Sequence, residues 1–115
     1  MKIEIVNDDR KHELYRILKN LYYITLKERY EDYLKLKNVY NKLLGDIFGT
    51  HLKNQEGFYW DEARNGIDNI FSSINIYNNA KAKGAIKVME KAEEIKKGAL
   101  IDALKKIENL KKFLK

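Results

Sequence analysis

Apolar residues recur at three- and four-residue steps through nearly the whole chain, a period that selects helices over strands. The first run is Leu14, Leu18, Leu21/Tyr22, Leu26, Tyr30, Tyr33, Leu36, Tyr40 and Leu43/Leu44. It opens at Asn7 or Asp8, where a side-chain oxygen can accept from free amides and acids suit the positive end of the helix dipole. Gly45 is a natural stop. The spacing therefore predicts one helix of about 37 residues, roughly 55 Å long. A second run, Trp60, Ala63, Ile67, Ile70/Phe71, Ile74 and Tyr77, predicts a shorter helix over 59–78. Its last residues, 72–77, also alternate and would suit a strand if taken alone. The helical spacing continuing from Trp60 favours helix. After a junction at Asn78-Asn79, a third helix is expected over 80–114, on Ala85, Val88/Met89, Ala92, Ile95, Ala99, Ala103, Ile107, Leu110 and Leu114.

These runs predict an all-α, elongated bundle of about three helices, two long and one shorter, forming a single domain over residues 1–115. A compact globule of this length has a radius of gyration of about 13 Å, and two helices near 50 Å do not fit inside it. The shorter helix leaves part of the apolar stripe uncovered, and a homodimer is the simplest way to bury it. Ala85, Ala92 and Ala99 are seven apart, which lets a partner helix approach closely. Gly84 and Gly98 cost about 1 kcal/mol each inside a helix and so mark either close approach or a bend. Ile3 and Ile5 alternate with Lys2 and Glu4, the pattern of a short N-terminal strand or of an extended arm laid on the bundle.

Charge is distributed unevenly. From Ala80 onward eleven lysines face five acids, and that segment holds the whole net charge of +6, since the first 79 residues balance. A neutral body carrying a basic helix suits a polyanionic or acidic partner. On a helical wheel Lys83, Lys87, Lys91, Lys105 and Lys112 fall opposite the alanine stripe, with Lys97 at the flank. Ammonium groups at that spacing can follow a phosphate backbone and release counterions on binding. Glu90, Glu94 and Glu108 share the face, and Glu93–Lys97, Asp102–Lys106 and Glu108–Lys112 are favourable i,i+4 pairs, so a solvated face laced with ion pairs is the competing account.

Catalytic chemistry is sparse. The absence of Cys removes disulfides, thiolate metal sites and thiol nucleophiles. His12 and His51 are the only histidines; Asp8 and His12 could share a face, but a closed metal site needs further ligands. No phosphate-cradling glycine loop or nucleophile elbow occurs. The expectation is a non-enzymatic protein with no cofactor, no metal and no evident small-molecule substrate. No apolar run reaches the roughly 18 residues of a membrane span, and the first residues lack a signal-peptide core, so a cytoplasmic location is the default.

Two readings of function follow. In the first the protein binds nucleic acid with low sequence specificity through Lys83, Lys87, Lys91, Lys97, Lys105 and Lys112. In the second it is an interaction or inhibitory module docking on another protein through an apolar helix face or the 45–60 connection. That connection is glycine-punctuated and carries His51, Lys53, Tyr59 and Trp60 as candidate contacts. The Lys-, Ile-, Asn- and Tyr-rich composition without Pro matches an AT-rich coding bias shared by mobile elements, archaeal viruses and some thermophiles; in a virus or mobile element the second reading implies a host partner. Along the first helix, Tyr22, Tyr30, Tyr33 and Tyr40 lie in the apolar stripe, while Tyr15 and Tyr23 lie off it and are better placed for contacts.

Overall fold

The computed structural model describes residues 5–49 and 55–114. The described residues form four helices, α1 (Arg10–Leu26), α2 (Tyr30–Phe48), α3 (Gln55–Lys83) and α4 (Ile86–Asn109), and a closing 3₁₀ turn at Leu110–Phe113. The all-α class is as expected; the helix count and boundaries differ. Among the described residues there is no strand, and 72–77 lies wholly within α3. The N-terminal strand or arm falls mostly on residues 1–4, outside the described residues. Of its remainder, Val6 donates its backbone N–H to Glu56 Oε1 at 2.8 Å.

The expected 37-residue first helix is instead two helices folded back on each other. Lys27, Glu28 and Arg29 make the turn. The Arg29 N–H reaches Ile24 O and the Glu28 N–H reaches Thr25 O, the two bonds of a Schellman stop. Glu28 takes the left-handed position (φ 56°) that glycine usually fills, so no glycine announces the break. The apolar period runs on through it, and Leu26 and Tyr30, which flank the turn, are left exposed. Gly45 does not stop α2, which continues to Phe48 and ends at Gly49 (φ 83°).

A second Schellman stop ends α3, with Gly84 N–H to Lys81 O and Ala85 N–H to Ala80 O, and Gly84 at φ 68°. Asn78-Asn79 is therefore mid-helix, and the helix expected to be shorter is the longest, 29 residues or about 43 Å. Gly98 is not a close approach: a Cβ there would meet nothing within 4 Å. The close approach is at Gly66, whose added Cβ would sit 3.5 Å from Ala103 Cα.

Helix α3 is the axis of the molecule. Its Trp60, Ala63, Ile67, Ile70 and Ile74 meet Leu14, Leu18 and Leu21 of α1, Tyr33, Tyr40 and Leu44 of α2, and Ala103, Ile107, Leu110 and Phe113 from the end of the chain in one core. Helices α1 and α2 are too short to cover the α3–α4 hairpin. Beyond Ile74, the buried apolar residues before Ala103 are Ala80 and Ala92. The hairpin tip projects, and the molecule measures 50 × 30 × 22 Å with a radius of gyration of 15.6 Å.

At the opposite end of the core lies a buried ion pair. Lys11 Nζ is 3.2 Å from Glu56 Oε2, with both side chains almost fully enclosed. Trp60 Nε1 donates to the same oxygen at 2.9 Å, and Tyr40 donates its hydroxyl to Trp60 O at 2.6 Å. Burial holds the Tyr40 phenol well above its usual pKa, so it stays protonated and donating.

Glu56→Ala leaves Lys11 charged, buried and alone, which should cost about 3–5 kcal/mol in denaturant unfolding followed by Trp60 fluorescence. Loss of under about 1 kcal/mol would mean that the pair is not buried as described. Glu28→Gly should raise stability by up to about 1 kcal/mol by relieving the left-handed strain; a lower denaturation midpoint would contradict that stop geometry.

Candidate nucleic-acid interface

Five of the six candidate lysines were expected on one helical face, with Lys97 at its flank, and all six are exposed. They do not share one element. Lys83 is the last residue of α3, separated from α4 by the turn at Gly84; Lys87, Lys91, Lys97 and Lys105 lie on α4, and Lys112 lies in the 3₁₀ turn. Lys87, Lys91, Lys105 and Lys112 occupy the outward face of α4 and its extension, over about 37 Å. Lys97 projects roughly 80° round the helix from Lys105. Exposed Glu90, Glu94, Ile101 and Glu108 interrupt the row.

Ion pairing differs from the i,i+4 expectation. Lys106 does pair with Asp102 at 3.0 Å, and also reaches Glu62 at 3.8 Å. Glu108 pairs one residue earlier than expected, with Lys111 at 2.9 Å, which releases Lys112. That bond holds the Lys111 ammonium above its usual pKa. Among the described residues no ion pair forms at Lys83, Lys87, Lys91, Lys97, Lys105 or Lys112. On the body Arg10, Lys11, Arg16, Arg29, Lys37 and Arg64 are ion-paired, while exposed Lys19, Lys27, Lys35 and Lys42 are not, among the described residues. Arg64 joins Asp61 (2.9 Å) and Asp68 (3.0 Å), and Lys37 joins Asp68 (3.2 Å), tying α2 to α3.

The turn gives Lys83 a role that a single helix could not. Ile76, Asn79, Ala80, Lys83, Ala85 and Val88 line a depression of about 310 Å³ between the two helices of the tip. An adjoining one of about 250 Å³ is lined by Ile76, Lys87, Val88, Lys91, Ala92 and Ile95. They share Ile76 and Val88 and form one groove. Its floor is apolar, with Ile76, Val88 and Ile95 about half exposed (47%, 48% and 49%). Its rim carries three lysines and, among the described residues lining it, no carboxylate.

The 45–60 connection is shorter than expected. His51 and Lys53 lie outside the described residues, while Tyr59 and Trp60 belong to α3. Trp60 is not a partner contact: it is fully buried and spends its N–H on Glu56. Tyr59 points the other way. Lys112 Nζ stands 5.2 Å from its ring centroid and 5.1 Å from that of Phe113. Tyr59 and Lys112, read from the sequence as parts of two separate features, thus meet on one cavity of about 220 Å³. Phe58, Glu62, Lys106, Asn109, Leu110 and Phe113 complete its lining. Phe113 was missed because it breaks the α4 period; the 3₁₀ turn carries it inward.

Of the off-stripe tyrosines, Tyr23 is exposed as expected. Tyr15 is half-buried, edge-on to Trp60 at 6.4 Å, and burial raises its pKa, which removes it from the contact surface. Among the described residues no three His, Asp or Glu side chains gather as a metal site would need, and no helix is long and apolar enough to cross a membrane. Compared with protein-family models, curated proteins and solved structures, the chain matches none.

Proposed function

We propose that the protein acts inside the cell by binding rather than by catalysis, and that its partner is nucleic acid contacted mainly through phosphates. The observation that carries this reading is the run of exposed, uncommitted lysines along the α3–α4 hairpin and its 3₁₀ extension, where the net positive charge is concentrated. Lys11, Lys37, Arg64, Lys106 and Lys111 each hold a carboxylate. The exposed lysines of the hairpin do not, and an ammonium group without an internal partner is free to neutralise a phosphate. The interrupting glutamates limit the contact to a few phosphates and carry no base-reading geometry, so sequence preference is weak.

The second reading, docking on a protein, is favoured by the groove at the hairpin tip. An amphipathic partner helix with acidic flanks would lay its apolar stripe on Ile76, Val88 and Ile95 and its carboxylates against Lys83, Lys87 and Lys91. As a further part of the proposal, a second copy of the chain covers the α1–α4 seam, where half-exposed Tyr23 and Leu104 lie between Lys19 and Glu108. Light scattering should then give twice 13.6 kDa; a stable monomer at high concentration removes the dimer.

Titration with short duplex and single-stranded oligonucleotides at about 50 and 200 mM salt tests the leading reading. Six free lysines predict a log–log salt slope no steeper than about −5.4 for duplex and −4.2 for single strands. No binding at the lower salt, or binding indifferent to salt, sinks the phosphate contact. Lys83→Glu/Lys87→Glu/Lys91→Glu should weaken all sequences alike. If it leaves oligonucleotides unaffected but abolishes capture of an acidic amphipathic peptide, the protein-docking reading takes over.

A further inference from the structure

We propose that the cavity between the start of α3 and the closing 3₁₀ turn is a nucleotide site, with a planar base against Phe58 and Tyr59, over a floor that includes Phe113, and its phosphate on Lys112. The proposal deepens the nucleic-acid reading and rests on it for the single strand as source of the nucleotide.

The walls of the cavity are the first reason. Phe58 and Tyr59 are 51% and 41% exposed, a large apolar area to leave in water one residue from the buried Trp60. The rings around the cavity do not satisfy one another. Phe58 and Tyr59 meet only edge to face at 5.9 Å, and Tyr59 and Phe113 are tilted 32° at 6.0 Å. Where this protein closes an aromatic pair, as at Tyr33 and Phe71, the centroids approach to 4.6 Å and the rings stack. Phe113 is buried, so the ring surface left open is that of Phe58 and Tyr59, and every base has a complementary π-face.

Charge supplies the second reason. The Lys112 ammonium sits over two aromatic rings at the cavity and, among the described residues, has no carboxylate partner. A cation held on an aromatic rim selects a ligand that is both planar and anionic. One helical turn further along lie Asn109 and Glu62. Glu62 is balanced by Lys106 at 3.8 Å. Asn109 can donate or accept and Glu62 can accept from an exocyclic amine, so that end suits a base edge and repels phosphate. The cavity is thus polarised, with the base edge toward Glu62 and Asn109 and the phosphate toward Lys112.

Size supplies the third. About 220 Å³ lies below the roughly 300 Å³ at which pockets for larger ligands begin, and suits a single ring system. From Lys112 the outward face leads to Lys105 about 10 Å away along the helix, so a strand whose base enters the cavity can continue onto the lysine row. A base locked in a duplex cannot enter.

The test uses the full chain and three probes: an oligothymidine of about ten nucleotides, an abasic strand of equal length and charge, and free adenosine monophosphate. The oligothymidine should bind about 5- to 100-fold tighter than the abasic strand, the range expected for stacking one base. Tyr59→Ala, and independently Phe58→Ala, should erase that difference and leave abasic affinity unchanged, with Trp60 emission confirming an intact core. Lys87→Glu/Lys91→Glu should weaken both strands equally. Equal, salt-sensitive binding of the two strands overturns the nucleotide site and leaves the phosphate reading standing. If neither strand binds but adenosine monophosphate shifts the Phe58 and Tyr59 ring resonances, the phosphate row fails and the site stands with a free nucleotide as its ligand. If nothing binds, both fall.

Discussion

A single carboxylate organises the closed end of this molecule. Glu56 lies in the first turn of α3, where the helix dipole favours negative charge, and it is fully enclosed. Three separate parts of the chain converge on it: the Val6 amide ahead of α1, the Lys11 ammonium on α1, and the Trp60 indole one turn along α3. Enclosing an ion pair of this kind adds little net stability over an apolar substitute, but it tolerates no misplacement, because either charge left alone is costly. Its effect is therefore to fix position. With Trp60 held inward by Glu56 and by the Tyr40 hydroxyl on its carbonyl, the preceding residues Phe58 and Tyr59 are turned outward toward the chain's end. The aromatic cavity exists because of which way Trp60 faces.

The other end of the α3–α4 hairpin follows different rules. Near the ion pair the two helices are buttressed by α1 and α2; past Ile74 they are joined mainly to each other through Ala80 and Ala92, with Asn78 donating to Glu28 of the α1–α2 turn at 3.4 Å. Small side chains allow close approach but bury little area, so the tip contributes little to the core while exposing Ile76, Val88 and Ile95. Core packing and exposed apolar surface are thereby separated along one pair of helices.

Helical class, most core positions and the exposure of the lysines were legible from periodicity, since a 3.6-residue repeat reports which side faces inward. The turns were not. At Lys27–Arg29 the apolar spacing continues across a break made by backbone hydrogen bonds and a left-handed glutamate, and neither leaves a mark in residue type. At Gly84 the signal was present, but Asn78-Asn79 competed with it as a junction, and misplacing that turn put Lys83 on the wrong helix. The same error hid the groove, because its residues come from both sides of the turn. Trp60 lies on the apolar stripe of a helix as its spacing predicts, but its further reading as a contact of the 45–60 connection was wrong, because its N–H is spent on a buried carboxylate four residues earlier that the periodicity does not reveal. The cavity lay beyond periodicity altogether, needing Tyr59 and Phe113 side by side across an antiparallel hairpin.

The basic rim of the tip groove has a consequence for how the molecule behaves toward its own kind. Two copies meeting tip to tip would set Lys83, Lys87 and Lys91 against their equivalents, so at low ionic strength the exposed isoleucines and valine are kept apart by repulsion. Near 0.1 M salt the screening length falls to about 10 Å, and that barrier shrinks while the apolar attraction does not. Phosphate contacts weaken over the same range. On the proposed reading, salt would therefore act on one lysine cluster in opposite senses, weakening a phosphate contact while lowering the barrier to apolar contact between tips.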